Sequence, residues 1–418
     1  MNVLQKHTKA RTKKRIWVKK GLACILSVVL VAEIMVCSLG KGILARAETE
    51  GMTKEKDLPV TAEAAVLMEQ DTQTIIGAKN ATVQRPIASV TKVMTLLLIM
   101  DAVSEGSIQL TDTVTVSEHA ASMGGSQVFF EPGETQTVET MIKCISISSA
   151  NDACVAMAEH LAGSEEAFVA KMNEKAKNLG MEYTTFLNCC GLDTAGHVSC
   201  AKDVAIMSAE LMKNHPDIQK YTTTWMDTIV HNTKRGASEF GLANTNKLLK
   251  QYNGITGLKT GSTNEAKYCL SATAERNGVK LIAVILGAPD TKTRFREAAA
   301  LLDLGFATCK VYHDEGSDLT LPDVTVKNAM KNSVSVAFKE PFSYVFFNGE
   351  NTGDVKRKIV LKDSVKAPLK KGDILGECRY EVNGKLLGSV ELVCTEDRKE
   401  MTLGDGFMAC KNMFFQKK

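Results

Sequence analysis

The chain has 418 residues, of which 44% are hydrophobic and 24% charged, enough for two domains and unlike a disordered or collagen-like sequence. Its net charge is +3, but residues 1–47 hold ten Lys or Arg and one acid. The remainder carries 41 basic against 47 acidic residues, which excludes the basic footprint of a nucleic-acid binder.

Eight of the ten early positive charges precede Gly21, an apolar run follows to Gly40, and Ala45-Arg46-Ala47 supplies the small residues a signal peptidase needs. Residues 1–47 therefore read as an export signal. The apolar run, interrupted by Glu33, is also long enough for an uncleaved membrane anchor. Either reading places the chain outside the cytoplasm. Residues 48–60 are polar and aperiodic, as in a linker. Ala64 to Glu69 and Thr74 to Ala78 flank Gln70-Asp71-Thr72-Gln73, which predicts a β-hairpin. Pro86 precedes a segment whose Val93, Leu96, Leu97 and Met100 share one helical face.

A helical region is expected over 137–213. Within it Phe168, Met172, Ala176 and Leu179 recur at helical spacing, with Ser164 as N-cap and Gly180 as stop. Ser149-Ala150-Asn151 falls where one helix ends and another begins, so that two polar side chains can point into a cleft. Lys267 to Glu275 and Val279 to Leu286 read as strands joined at Asn277-Gly278, a strong hairpin signal. A helix from Arg294 to Asp303 closes this region before Gly305. From about Ser317 short alternating strands, with turns at Lys371-Gly372-Asp373 and Asn383-Gly384, predict a separate all-β domain over 317–397. In residues 398–418, Leu403, Phe407, Cys410 and Phe414 share a helical face ahead of Lys417 and Lys418. That is the pattern of an amphipathic membrane-associated tail, although Gly404 and Gly406 weaken a helix there.

Ten cysteines follow Ala47, none at Cys-x-x-Cys spacing, and the histidines are scattered, so no metal site and no cofactor are expected. Several fall in predicted helices and strands, where cysteine acts as a small apolar residue, which favours free, buried thiols.

The chemistry is concentrated in three short segments. Ser89 and Lys92 lie three residues apart and therefore on one helical face, so hydroxyl and amine are neighbours. Desolvation disfavours an ammonium, so a buried Lys92 is expected to take the Ser89 proton. Taken alone, the pair reads equally well as an N-cap serine followed by a solvated lysine. Ser149-Ala150-Asn151 and Lys259-Thr260-Gly261 follow in the order found in β-lactamases and penicillin-binding proteins.

Further segments carry a more specific resemblance: Met123-Gly124-Gly125-Ser126, Asn151-Asp152-Ala153, Gly191-Leu192-Asp193, Asn244-Thr245-Asn246 and Gly257-Leu258-Lys259-Thr260-Gly261. With them, residues 60 to 310 resemble the low-molecular-mass D-alanyl-D-alanine carboxypeptidases, a family of serine DD-peptidases and penicillin-binding proteins. The rest is similar, more loosely, to the family's small β-rich second domain.

The resemblance implies an α/β (α+β) fold, with an antiparallel sheet flanked by helices and a helical subdomain over 61–312. It implies that Ser89 attacks the penultimate D-Ala of a peptidoglycan stem peptide with Lys92 as base, and that β-lactams acylate the same serine. Ser149 would relay a proton to the leaving amine, and Asn151 would bind substrate amides or hold Lys92. The backbone N–H groups of Ser89 and Ser262 would form the oxyanion hole. Lys259, on an edge strand, would add positive potential and orient Ser149. Thr260 would donate to the terminal carboxylate, Gly261 would let the substrate backbone approach, and Arg294 is either a carboxylate ligand or a solvated surface arginine. Cys190, Cys200 and Lys267 stand where the family commonly has His, Thr and Gly, and none is expected to touch the three motifs. Three alternatives stay open at this point: a β-lactamase-like hydrolase, a DD-endopeptidase, or an inactive cell-surface binding protein. The first usually needs a glutamate-held water, and Glu182 stands at the wrong spacing for it.

Overall fold

The computed structural model describes residues 56–233, 236–347 and 353–408. The expected signal or anchor, most of the linker, and Cys410 and Phe414 of the tail lie outside them.

The central sheet is built from β1 (Lys56–Asp57), β2 (Ala64–Glu69), β3 (Ile75–Lys79), β4 (Ile255–Thr263), β5 (Lys267–Arg276) and β6 (Val279–Ala288). Their spatial order is β1-β3-β2-β6-β5-β4, antiparallel throughout except for the parallel β1–β3 pair. Side chains alternate between two cores. On β6, Ile282, Val284 and Leu286 join the larger helical core, while Leu281, Ala283 and Ile285 join the smaller one behind the sheet. A sheet covered on both faces explains why β6 reads as a continuous apolar run. Asn277 and Gly278 close the β5–β6 hairpin at φ 51° and 77°, the left-handed pair such a two-residue turn requires.

On one face lie α1 (Lys92–Ser104), α2 (Val138–Ile147), α3 (Asn151–Ala162), α4 (Glu165–Asn178) and α5 (Ala201–Asn214); α6 (Thr291–Thr308) covers the other. Ser164 caps α4 by accepting from Ala167 N, and Gly180 follows its end at φ 72°, both as expected. The helix expected before Gly305 runs past it to Thr308. Gly305 does not stop the helix; it makes room, because a Cβ there would lie 2.5 Å from Leu281 Cδ1. The linker expectation also changes at its end: β1 pairs with β3, and Leu58 and Val60 are buried in the rear core.

Beyond α6, the strand Cys309–Asp314 pairs with Phe342–Phe347. A four-stranded antiparallel sheet of Val336–Phe338, Lys385–Cys394, Ile374–Val382 and Lys356–Leu361 accompanies them. This region has its own core, in which Tyr380 stacks on Phe342 with ring centroids 3.8 Å apart. Residues 403–408 are helical despite Gly404 and Gly406. Thr402 and Asp405 offset the glycines by capping reciprocally, Asp405 N donating to Thr402 Oγ1 and Thr402 N to Asp405 Oδ2. Leu403 and Phe407 are exposed there, at 97% and 74%. Among the described residues no helix is long and apolar enough to cross a membrane.

Candidate active site

Ser89 sits in a tight 3-10 turn, Ala88–Thr91, and Lys92 opens α1. The turn puts Lys92 Nζ 3.0 Å from Ser89 Oγ. The same nitrogen donates to Asn151 Oδ1 at 2.6 Å and to the Cys190 carbonyl at 2.9 Å, which leaves its third direction for the Ser89 hydroxyl. Lys92 is fully buried while Ser89 stays half-buried and reachable, which removes the solvated-lysine reading.

Ser149 lies in the α2–α3 corner at φ 62°, a conformation rare for a residue with a side chain. The corner presents its hydroxyl to Lys259 Nζ, which donates to it at 2.8 Å and to Thr260 O at 2.9 Å. Lys259 is on β4, an edge strand as expected, and is buried. Burial, then the nearby Lys92 amine, push its amine well below the usual lysine range. That favours a neutral amine over the positive attractor expected from the sequence.

Asn151 begins α3 and organises the facing loop, its Nδ2 donating to Gly124 O at 2.7 Å and its backbone N to Ser126 O at 2.7 Å. The neighbouring Asp152 carboxylate accepts from Val128 N and Phe130 N, and burial raises its pKa. Met123-Gly124-Gly125-Ser126 and Asn151-Asp152 are thus two sides of one contact. Gly191-Leu192-Asp193 is cradled by Asn188 Oδ1, which accepts from the N–H groups of Cys190, Gly191 and Leu192. Asp193 in turn accepts from Thr263 Oγ1 at 2.7 Å, tying this turn to the end of β4.

The Thr260 hydroxyl bonds Thr245 Oγ1 at 2.6 Å. Asn246 Nδ2 donates to Gly257 O, so Asn244-Thr245-Asn246 buttresses β4. Gly261 departs from expectation. A Cβ there would lie 2.8 Å from Ile87 O and 2.9 Å from Ser89 N and Val90 N, so what its missing side chain admits is the chain's own Ser89 turn. The same contact brings Ser262, exposed on β4, beside the segment carrying Ser89 N.

Arg294 is not a solvated surface residue: it is 6% exposed, and Nη1 donates to Gly261 O at 3.0 Å and Cys269 O at 3.1 Å. Burial pushes its pKa down to about 10. It clasps β4 to β5 from beneath the motif. Cys190, expected clear of the motifs, touches two of them: its carbonyl accepts from Lys92, and its thiol lies 3.5 Å from Asn151 O. Cys200 caps α5, its thiol accepting from Asp203 N at 3.4 Å, as a threonine hydroxyl would. Lys267 has φ 55°, which explains why a glycine suits that position, and it pairs with Glu63 at 2.5 Å. Glu182 is exposed.

Sequence reasoning missed His197. Leu187 N donates to its Nδ1, so Nε2 carries the proton and donates to Thr91 Oγ1 at 2.9 Å, beside Lys92. Burial lowers its pKa to about 4. A lone histidine 106 positions from its partner leaves no pattern to find.

Residues 50–290 match the D-alanyl-D-alanine carboxypeptidase family, and residues 306–400 match the C-terminal domain of penicillin-binding protein 5. The chain is 42% identical over 376 residues to the D-alanyl-D-alanine carboxypeptidase DacF of Bacillus subtilis, covering 90% of this chain and 95% of that one. It is 31% identical over 350 residues to DacA of Escherichia coli, covering 82% and 84%. Penicillin-binding protein 5 from Haemophilus influenzae superposes with a TM-score of 0.68 at 30% identity, over 82% of this chain and 98% of that structure. Matched along both its sheet-and-helix region and its C-terminal β region, the chain belongs to the D-alanyl-D-alanine carboxypeptidases, serine peptidases of the low-molecular-mass penicillin-binding class.

Proposed function

We propose that Ser89 is the acylated nucleophile of this carboxypeptidase and Lys92 its base, acting on the D-Ala-D-Ala end of peptidoglycan stem pentapeptides. The observation that carries this is two hydrogen-bonded groups drawn from distant segments, Ser89 with Lys92 and Asn151, and Ser149 with Lys259.

Ser89 Oγ adds to the penultimate D-Ala carbonyl and gives its proton to Lys92. The resulting oxyanion is held by Ser89 N and Ser262 N, a kind of donor whose loss typically costs about 10²- to 10³-fold in rate. Collapse breaks the C–N bond, and terminal D-alanine leaves with a proton passed through Ser149, which Lys259 orients. Water then hydrolyses the ester and restores the serine. Asn151 holds Lys92 against Ser89, Thr260 faces the substrate carboxylate, and Arg294 fixes the strand that bears it. β-Lactams enter by the same first step and stay as esters.

Peptidoglycan lies outside the cytoplasm, so residues 1–47 serve export or anchoring. The 317–397 region holds the enzyme at the outer face of the cytoplasmic membrane or at the wall; the interfacial tail begins only after Met401, since Arg398 is buried and Glu400 pairs with Ala329, and the exposed Leu403 and Phe407 support that placement.

The test is incubation of the purified protein with a fluorescent penicillin and, separately, with a defined pentapeptide. A long-lived adduct on Ser89 and release of D-alanine, both absent in Ser89→Ala, are expected. Rapid turnover of the penicillin would instead identify a β-lactamase, and D-alanine release by Ser89→Ala would place the nucleophile elsewhere.

A further inference from the structure

Three ligand-type side chains meet beside the catalytic cluster. The sulfur atoms of Cys189 and Cys190 are 3.5 Å apart, and a carboxylate oxygen of Glu165, at the start of α4, lies within 4.8 Å of both. Zinc–sulfur bonds of about 2.3 Å at a tetrahedral angle set two sulfurs about 3.8 Å apart, so this pair is already near chelating distance. The expectation of no metal rested on the absence of Cys-x-x-Cys spacing. Adjacent cysteines with a glutamate 24 positions upstream escape that pattern, and the fold assembles them.

The surroundings suit an ion. Glu165 Oε1 accepts from Cys189 N at 3.0 Å, which fixes the carboxylate over the thiols. Its Oε2 lies 3.9 Å from Nε2 of the more exposed His119, whose Nδ1 is 3.1 Å from Glu159 Oε1. A carboxylate behind a histidine ring commonly backs bound zinc, and these polar side chains lead from solvent toward the buried sulfurs.

We propose that Cys189, Cys190 and Glu165 bind one thiophilic divalent cation of the zinc type, and that its binding restrains the acylation machinery. Two thiol protons pass to solvent, two S–metal bonds and one O–metal bond form, and no atom changes oxidation state. The restraint follows from packing. The Cys190 carbonyl accepts from Lys92 Nζ, and the next residue, Gly191, presses on the nucleophile turn so closely that a Cβ there would lie 1.9 Å from Ala88 O. A shift of Cys190 toward a metal is therefore transmitted to Lys92 or to the Ser89 turn. This second arm rests on the assignment of Ser89 and Lys92; the binding arm does not.

The experiment titrates the reduced full-length protein with Cd²⁺ without oxygen, following thiolate-to-cadmium charge-transfer absorption and the rate of acylation by a fluorescent penicillin. Absorption should saturate at one equivalent while acylation slows tenfold or more and recovers on chelation. Cys189→Ser should lose the absorption and the slowing together. Glu165→Gln should acylate normally without metal but require tenfold or more Cd²⁺ to saturate. Absence of a saturable band, a band unchanged in Cys189→Ser, or a Cys189–Cys190 disulfide in the isolated protein would overturn the site. Saturation without slowing would overturn the restraint, whereas failure to acylate before any metal is added would strike at the Ser89 assignment instead.

Discussion

In the sheet-and-helix region two fully buried lysines, Lys92 and Lys259, each donate to a serine hydroxyl. In the C-terminal β region Tyr380 and Asp314 form a polar pair at the core, joined at 3.0 Å, with Arg357 bridging Asp314 to Asp318. The first arrangement removes two amines from water, which is costly, and points Lys92 at the Ser89 hydroxyl, which solvent can still reach. The second stitches strands together and presents no reachable nucleophile. The contrast separates polar burial that serves chemistry from polar burial that serves the fold, and single substitutions on each side can break it.

The largest effect is expected at Lys92. Lys92→Met, similar in length but without a proton acceptor, should lose about 10³-fold in the rate of penicillin acylation. Its melting temperature should hold or rise, because a buried amine is replaced by an apolar chain. A marked fall in melting temperature would move Lys92 to the structural side of the comparison.

Tyr380→Ala should behave in the opposite way. It deletes the largest fully buried side chain among the described residues and its stacking on Phe342, at a cost of about 3–5 kcal/mol to the C-terminal region, measured by denaturant unfolding. The rate of Ser89 acylation should not change; if it falls as well, the two regions are energetically joined.

His197 tests the border between the two kinds of burial. The unfolded chain takes up its proton near 6.5, the folded chain only near 4, so the unfolded state binds more protons between these values and stability falls as pH falls. Acidification from pH 7 to pH 4 should cost up to about 3 kcal/mol through this group. In His197→Gln that part of the pH dependence should vanish.

The smallest effect is expected at the exposed Lys339–Glu391 pair, 2.6 Å apart on the C-terminal sheet. Glu391→Gln should leave both melting temperature and acylation unchanged within measurement. A clear loss of stability would mean that exposed ion pairs, and not the Tyr380 core, carry this region.

Much of this arrangement was legible from short stretches of chain. Ser89 and Lys92 meet because three residues of a helical turn bring them together, and Asn277-Gly278 turns because those residues tolerate φ above zero. Ser164 caps α4 through a bond three residues long. Each of these depends on neighbours in sequence, so residue type and spacing suffice. The glycines misled where the constraint came from afar: Gly305 reads as a stop but admits Leu281, and Gly261 reads as room for substrate but admits the turn that carries Ser89.

What the sequence by itself determined, then, is the set of turns, caps and helical faces, and through the three motifs the family. Only the tertiary structure decided that Asn151 reaches Lys92 across 59 positions and that Lys259 reaches Ser149 across 110. It also decided that Arg294 is buried beneath the Lys259 strand, and that the Cys190 carbonyl holds Lys92. The physical reason is that hydrogen-bond partners and burial depend on which distant segments the hydrophobic cores bring together, and desolvation then sets which amines stay charged.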